Sequence, residues 1–110
     1  EFFDSCLRAL APDGLLLVHT ASMPRAMAGA EIAALSGALD GDISRAFIVA
    51  DPASARGRRR GNLVLVARQD PFTVGELEEV ERAVRRLPLP VRTWALDDAA
   101  LPRPEGGRAR

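Results

Sequence analysis

The sequence has no lysine and no tyrosine, and it contains one cysteine, one histidine and one tryptophan. The absence of lysine excludes a Schiff-base or general-base lysine. The single cysteine, Cys6, excludes an internal disulfide and a metal site built on several cysteines, and one free thiol is typical of a reducing compartment. No Gly-x-Gly-x-x-Gly or Gly-x-x-x-x-Gly-Lys segment is present, so a complete dinucleotide or phosphate loop is excluded as well.

The charges balance, with 15 arginines against 15 acidic residues in a chain of 110, and 47% of the residues are hydrophobic. A neutral chain of this composition can form a core, and it gives no electrostatic reason to bind nucleic acid or an anionic membrane. No apolar run reaches 18 residues, and the first residues lack the basic region of a signal peptide. We therefore predict a cytoplasmic location with no nucleic-acid partner and no membrane contact.

Apolar residues recur with helical or strand spacing along most of the chain. Helices are predicted over residues 1–11, 24–39 and 73–87. Strands are predicted over residues 15–18, 43–50, 62–68 and 91–96. The first strand is an unbroken apolar run, which is typical of a strand buried on both faces. The last helix has Thr73 as its N-cap and Glu76 three residues later, the pattern of a capping box.

This order of elements predicts an α/β fold with a layered sheet. Residues 51–61, between the second and third strands, form a polar, arginine-rich stretch that predicts a loop, so these strands are expected to pair as an antiparallel hairpin. The domain is predicted to cover residues 1–96. Residues 97–110, which drift towards Pro, Gly and Arg, are predicted to be a flexible tail.

Two stretches resemble a known family. In EFFDSCLRALAPDGLLLVHT, residues 1–3 match the start of a helix, residues 10–14 match a turn with Pro-x-Gly, and residues 15–18 match an apolar strand of spermidine synthases. The stretch GNLVLVAR resembles the last strand of that family. The resemblance implies the C-terminal portion of a class I methyltransferase-type, Rossmann-like sheet that ends in an antiparallel strand pair.

The family's Gly-rich cofactor loop, acidic ribose-binding residue and Asp-rich catalytic segment all precede the part that this chain resembles. The resemblance therefore implies that this segment binds no cofactor and contains no catalytic residue. The full-length parent is expected to use decarboxylated S-adenosylmethionine or S-adenosylmethionine and to act on a small-molecule amine, and it could be a homodimer. The chain lacks an initiator methionine, and we expect its first residue to fall inside a longer gene product.

Two polar residues that follow predicted strands are the candidate substrate-binding residues. His19 stands where the family usually carries a pocket-lining Gln, at the strand end where open α/β sheets bind ligands. Asp51 follows the second strand, where a carboxylate would suit an amine. The alternative interpretations are a loop histidine bonded to the backbone and an Asp-Pro that opens a turn. No metal site is predicted at either residue.

A cluster of basic residues lies in the predicted loop, at Arg56, Arg58, Arg59 and Arg60. No aromatic residues interleave with it, so it is interpreted as a solvated hairpin loop rather than a phosphate or nucleic-acid site. The same loop lacks the family's Pro-Thr-Tyr-Pro-like segment with its substrate-contacting tyrosine.

Three functions stay open from the sequence. The first is a segment of a spermidine synthase-like aminopropyltransferase of polyamine biosynthesis, inactive by itself. The second is a segment of an S-adenosylmethionine-dependent methyltransferase, which the missing tyrosine and His19 favour. The third is a non-catalytic remnant or interaction module. In each case the first strand is expected to have an open edge in the isolated segment, which favours aggregation.

Overall fold

The computed structural model describes residues 2–20, 25–56, 62–99 and 101–102. These residues form four helices, α1 (Phe2–Ala9), α2 (Arg25–Ala38), α3 (Pro52–Ala55) and α4 (Val74–Arg85). The described part of the chain also forms four strands, β1 (Leu15–Thr20), β2 (Ala46–Ala50), β3 (Leu63–Arg68) and β4 (Arg92–Trp94). The three predicted helices and four predicted strands are confirmed. Within the described ranges, no helix is long and apolar enough to cross a bilayer.

The structure differs from the prediction on either side of β2. Residues Ile43–Arg45, predicted as the start of the strand, form a 3₁₀ turn instead. Residues 52–55, predicted as loop, form α3, because Asp51 provides an N-cap and Pro52 occupies the first helical turn, where its missing N–H costs nothing. The predicted basic cluster falls mostly on residues 57–61, which lie outside the described residues.

The ends of α1 and α4 are held by specific polar contacts. The Gln69 side-chain amide donates to the carbonyl oxygens of Leu7 and Leu10 at 3.0 Å each, which ties the end of α1 to the segment after β3. At α4, the Thr73 hydroxyl accepts from the Glu76 N–H, and the Glu76 carboxylate accepts from the Thr73 N–H. The predicted capping box is therefore confirmed.

The four strands form one sheet in the order β1-β3-β2-β4. Strand β3 is antiparallel to both β1 and β2, with Thr20 and Ala50 each opposite Leu63. Strands β1 and β2 are consequently parallel to each other and have their carboxyl ends at the same edge. The predicted antiparallel pairing of β2 with β3 is confirmed, and so is the α/β fold class.

Helices α1 and α2 cover one face of the sheet and form the main core with it. Leu35 and Ile48 have no exposed surface, and Phe3 and Leu7 bring α1 into the same cluster. The strands contribute every second residue to this face, including Leu16, Val18, Leu63, Leu65 and Ala67. We call it the α1/α2 face.

Helix α4 covers part of the opposite face, which we call the α4 face. Phe47 of β2 packs edge-to-face on Phe72, with ring centroids 5.0 Å apart. The Arg68 guanidinium lies 4.1 Å from the centre of the Phe72 ring. Strand β4 is tied to α4 through the Glu81 carboxylate, which accepts from the backbone N–H and the hydroxyl of Thr93.

The predicted burial of the first strand on both faces is wrong. Leu15 and Leu17, on the α4 face of β1, are 52% and 63% exposed. The reason is topological, because β1 stands at the end of the sheet and α4 lies over the β2–β4 end. An unbroken apolar run specifies a strand, but the neighbours of that strand decide how many of its faces are buried.

The core extends past the predicted end of the domain at residue 96. Leu96 and Leu101 are both buried and belong to the main core cluster. Residues 103–110 lie outside the described residues, so the division into a domain and a flexible tail stays a prediction.

Candidate functional site at the carboxyl edge of the sheet

The carboxyl ends of β1 and β2 and the start of β3 form one polar edge. Thr20 ends β1, Ala50 ends β2, and both lie opposite Leu63 at the first position of β3. We call this the carboxyl edge. Ligands of open α/β sheets bind outside the carboxyl ends of parallel strands. Both residues predicted from the sequence, His19 and Asp51, lie here.

His19 is exposed and lies on the α4 face of β1, opposite Val64. Its Nε2 atom lies 3.1 Å from Oδ1 of Asn62. Because an amide oxygen accepts, Nε2 is the protonated nitrogen in this arrangement. In the neutral ring Nδ1 then carries a lone pair and can accept a hydrogen bond from a ligand N–H.

Asn62 is a site residue that sequence reasoning missed. The predicted third strand begins at this residue, and the sequence pattern gives its side chain no further role. The register of the β1–β3 pair would have identified it. His19 lies opposite Val64, so Asn62 is its diagonal neighbour on the same face of the sheet, within reach of a longer side chain. That register cannot be read from the sequence when the loop before β3 has no defined turn type.

Thr20 points to the other face and is buried, and its hydroxyl donates to the carbonyl oxygen of Leu63 at 3.3 Å. This bond joins β1 to β3 at their shared end. His19 precedes Thr20 in the chain, and Asn62 precedes Leu63. The Thr20–Leu63 bond therefore helps to hold His19 close to Asn62.

Asp51 follows β2 and acts as the N-cap of α3. One carboxylate oxygen accepts from the Ser54 N–H at 2.8 Å, and the other accepts from the Ser54 hydroxyl at 3.2 Å. Asp51 therefore has a structural role at the start of α3, as the turn-opening interpretation predicts. Its negative charge still lies at the carboxyl edge, so the predicted contact with an amine stays a prediction.

An aromatic and a basic residue lie beside Asp51. The Trp94 indole N–H donates to the carbonyl oxygen of Ala50 at 3.2 Å, which holds the ring against the end of β2. The Arg56 guanidinium lies 5.7 Å from the centre of that ring. The β2 side of the carboxyl edge thus carries a fixed aromatic ring and a basic residue beside Asp51, whereas His19 on the β1 side is exposed among the described residues.

The strand spacing sets the distance between the two strand ends at the carboxyl edge. Adjacent strands are about 4.8 Å apart, so the ends of β1 and β2 are separated by about 10 Å with β3 between them. The part of the chain that the structure describes has no group of three His, Cys, Asp or Glu side chains able to hold a metal ion.

An adenosyl cofactor does not fit the described residues by themselves. The acidic side chain at the carboxyl edge, Asp51, already accepts two hydrogen bonds from Ser54. Neither strand end is followed by a Gly-x-Gly turn that would let the backbone approach a ribose or phosphate. No chemical step through a cofactor follows from the described residues.

The shifted carboxyl groups lie on α4, away from the carboxyl edge. The hydrogen bond from Arg68 and the bond from the Thr73 backbone lower the pKa of Glu76 to about 2. Burial raises the pKa of Glu81, but hydrogen bonds from Thr93 and Arg85 outweigh it and lower that pKa overall. Both carboxylates stabilise the attachment of α4, so their shifts mark structure rather than a reaction site.

No family model and no curated protein matches the sequence. The fold is similar to the crystal structure of a probable spermidine synthase from Corynebacterium glutamicum, with a TM-score of 0.59 and 23% sequence identity. The similarity covers 96% of this chain and 40% of that chain. At this identity the likeness shows the fold alone. The chain thus has the fold of part of a spermidine synthase and spans less than half of that protein's length.

Proposed function

We propose that these residues form the C-terminal segment of a spermidine synthase-like aminopropyltransferase, the cofactor-binding half of which lies elsewhere in the gene product. The observation that carries the proposal is the sheet itself. Parallel strands β1 and β2 flank antiparallel β3, and this arrangement superposes on a probable spermidine synthase over 96% of the chain. The polar carboxyl edge supports it, because His19, Asn62 and Asp51 lie where that fold class binds ligands.

In the proposed reaction, the nitrogen of an acceptor amine attacks the aminopropyl carbon bound to the sulfonium of decarboxylated S-adenosylmethionine. A carbon–nitrogen bond forms, the carbon–sulfur bond breaks, and the amine proton passes to a base. The sequence resemblance places that base outside this segment. The segment supplies half of the sheet and a pocket wall.

His19 is the residue of this wall that we expect to contact the amine. Asn62 Oδ1 accepts from Nε2–H of His19, and Nδ1 would accept from an amine N–H. The Asp51 charge would attract the other, cationic end of a polyamine-like acceptor across the edge. Both roles stay predictions from the sequence that the geometry allows.

A methyltransferase is the second candidate, and one observation favours it. The chain has no tyrosine, and His19 replaces the Gln expected of the spermidine synthase pocket. A different acceptor would account for both changes. The third candidate, an interaction module, requires that the gene product contain no cofactor-binding half.

A two-label assay on the full gene product separates these candidates. Intact mass and N-terminal sequence first establish how far the product extends. Decarboxylated S-adenosylmethionine labelled in the aminopropyl group and S-adenosylmethionine labelled in the methyl group are then offered with a panel of amines. We expect the aminopropyl label to move to an amine. Transfer of the methyl label would identify the second candidate, and transfer of neither label would leave the third.

Variants at the carboxyl edge then test the site. We expect His19→Ala to raise the KM for the amine about tenfold, the loss of one hydrogen bond, with stability changed by less than about 0.5 kcal/mol because the side chain is exposed. Asp51→Asn keeps an N-cap acceptor and removes the charge. A raised KM with unchanged stability would support charge recognition, whereas an unchanged KM would limit Asp51 to capping.

A further inference from the structure

The one histidine of the chain contacts its one asparagine at the carboxyl edge. Nε2 of His19 lies 3.1 Å from Oδ1 of Asn62, which stands 43 positions later in the sequence. Both side chains are exposed, so this hydrogen bond satisfies no buried group and caps no helix. A contact that the core does not need is a candidate for a role in binding.

The backbone under both side chains is held by the sheet. His19 is followed by Thr20, which lies opposite Leu63, and Asn62 directly precedes Leu63. The buried Thr20 hydroxyl donates to the Leu63 carbonyl oxygen at 3.3 Å and joins the two strands at this point. The side chains of His19 and Asn62 therefore meet without the closing of a flexible loop.

The hydrogen bond selects one orientation of the His19 ring. The torsion of an imidazole about its Cβ–Cγ bond has two broad minima about 180° apart. Rotation from one minimum to the other would place Cε1 where Nε2 now lies, and a carbon in that position would replace the N–H that Asn62 accepts. The same bond selects the tautomer with the proton on Nε2, because Oδ1 is an acceptor.

This orientation decides what the free nitrogen of the ring can bind. With the proton on Nε2, the lone pair of Nδ1 accepts an N–H, whereas a carbonyl or carboxylate oxygen would meet it as a second acceptor. The amide of Asn62 carries no net charge, so it orients the ring without favouring the imidazolium form, as a carboxylate would. An imidazolium would repel an ammonium group. The pair therefore suits a ligand with an amine or ammonium group.

We propose that Asn62 is a positioning residue, which turns His19 so that Nδ1 accepts an N–H, and that the carboxyl edge thereby selects ligands that bring an N–H donor over ligands of equal charge without one. For the kind of ligand, the inference rests on the proposed function. It does not depend on which group, if any, is transferred.

Nitrogen NMR of the full gene product tests the positioning. The signals of His19 are the pair that disappears in His19→Ala. At a pH where the ring is neutral we expect the proton on Nε2, and we expect Asn62→Ala to shift the tautomer ratio about fivefold towards Nδ1–H through the loss of one hydrogen bond. Asn62→Asp keeps an acceptor oxygen and should keep the proton on Nε2. A proton on Nδ1 in the unaltered protein, or an unchanged ratio in Asn62→Ala, would overturn the inference.

Calorimetry with two ligands tests the selection. The probe 1,4-diaminobutane brings N–H donors, whereas its fully methylated, bis-quaternary analogue keeps both charges and has no N–H. We expect the unaltered protein to prefer the diamine at least about tenfold, and Asn62→Ala to reduce that preference about fivefold. The bulk of the methyl groups is the same for every variant, so the change in preference reports the hydrogen bond. Equal Kd values in the unaltered protein, or an unchanged preference in Asn62→Ala, would contradict the proposal.

A double-mutant cycle shows whether Asn62 acts through His19. In the His19→Ala background, Asn62→Ala should change the Kd of the diamine by less than about twofold, since the contact that it supports is already absent. A fivefold loss in both backgrounds would mean that Asn62 contacts the ligand itself, and the positioning role would be wrong. Both side chains are exposed, so each variant should keep its Tm within about 2 °C.

The inference and the proposed function can fail separately. A product that transfers no aminopropyl group, but shows the expected His19 signals and diamine preference, would support the inference while the proposed function fails. Aminopropyl transfer by a product in which Asn62→Ala leaves the signals and the preference unchanged would have the reverse meaning.

Discussion

The two ends of the sheet differ in how completely they are packed. At the β2–β4 end, α2 contributes to the core on one face and α4 lies on the other, and Ile48 has no exposed surface. At the β1 end, Leu17 is 63% exposed on the face that α4 does not reach. Both strands are apolar runs of similar composition. The difference shows that the elements packed on a strand, and not its own composition, decide how far its side chains are buried. We therefore expect substitutions at the two ends to change the free energy of unfolding by different amounts.

The largest expected difference comes from truncating one apolar side chain at each end. In the 110-residue chain we expect Ile48→Ala to cost about 2–5 kcal/mol, since it leaves a cavity in a closed core. Leu17→Ala should cost less than about 0.5 kcal/mol, because most of that side chain already contacts water. Urea titrations of the two variants measure both values. Equal losses would mean that the β1 end is covered even in this chain, which would break the comparison.

A smaller loss in the free energy of unfolding is expected from a substitution at the N-cap of α4. Thr73→Ala removes the N-cap acceptor of the Glu76 N–H, and we expect a loss of about 1 kcal/mol. Thr73→Ser keeps the hydroxyl and should lose much less, so it serves as the matched control. The free energy of unfolding from urea titration is again the measurement. Equal losses for the alanine and serine variants would mean that the Thr73 hydroxyl does not stabilise α4 at the β2–β4 end of the sheet.

The smallest expected difference is in how the Tm depends on pH when Glu76 is replaced. Because the folded pKa of Glu76 is lowered to about 2, its contribution to stability is fully present above its ordinary pKa and is lost as the pH falls towards 2. We expect the unaltered chain to exceed Glu76→Gln in Tm near neutral pH. That gap should close between about pH 5 and pH 2.

Two controls sharpen the pH experiment. Glu78→Gln changes an exposed carboxylate on the same helix that makes none of the Glu76 contacts, so its Tm should follow the unaltered chain. Added salt should narrow the gap at neutral pH, because Glu76 is 43% exposed where it meets Arg68. A gap that stays constant over the whole pH range would show that the charge of Glu76 is not what holds α4.

Much of the fold could be predicted because its signals are local. The capping box of Thr73 and Glu76 marks the start of α4 within four residues, and the predicted start is confirmed. The pairing of β2 with β3 followed from the absence of a long helical pattern between them. The short helix α3 was missed because its signal, Asp51 before Pro52, is shared with ordinary turns.

The candidate site could be predicted in part. The structure places His19 near the end of β1 and Asp51 directly after β2, at the same edge of the sheet, and their binding roles stay predictions. Asn62 was missed because its approach to His19 depends on strand register. The two hydrogen bonds from Ser54 to Asp51 could not be predicted from the sequence either, because an N-cap and a ligand site would use the same carboxylate.

The sequence by itself determined the three longer helices, the four strands, the charge balance and the absence of lysine and tyrosine, because periodicity and composition are properties of the residue order alone. The tertiary structure decided which strand became the sheet's end, which of its faces stayed open, and which side chains meet at the carboxyl edge. These depend on pairings between residues more than 40 positions apart, such as His19 with Asn62. No local pattern specifies such pairings, because their free energy is gained only when distant segments come together.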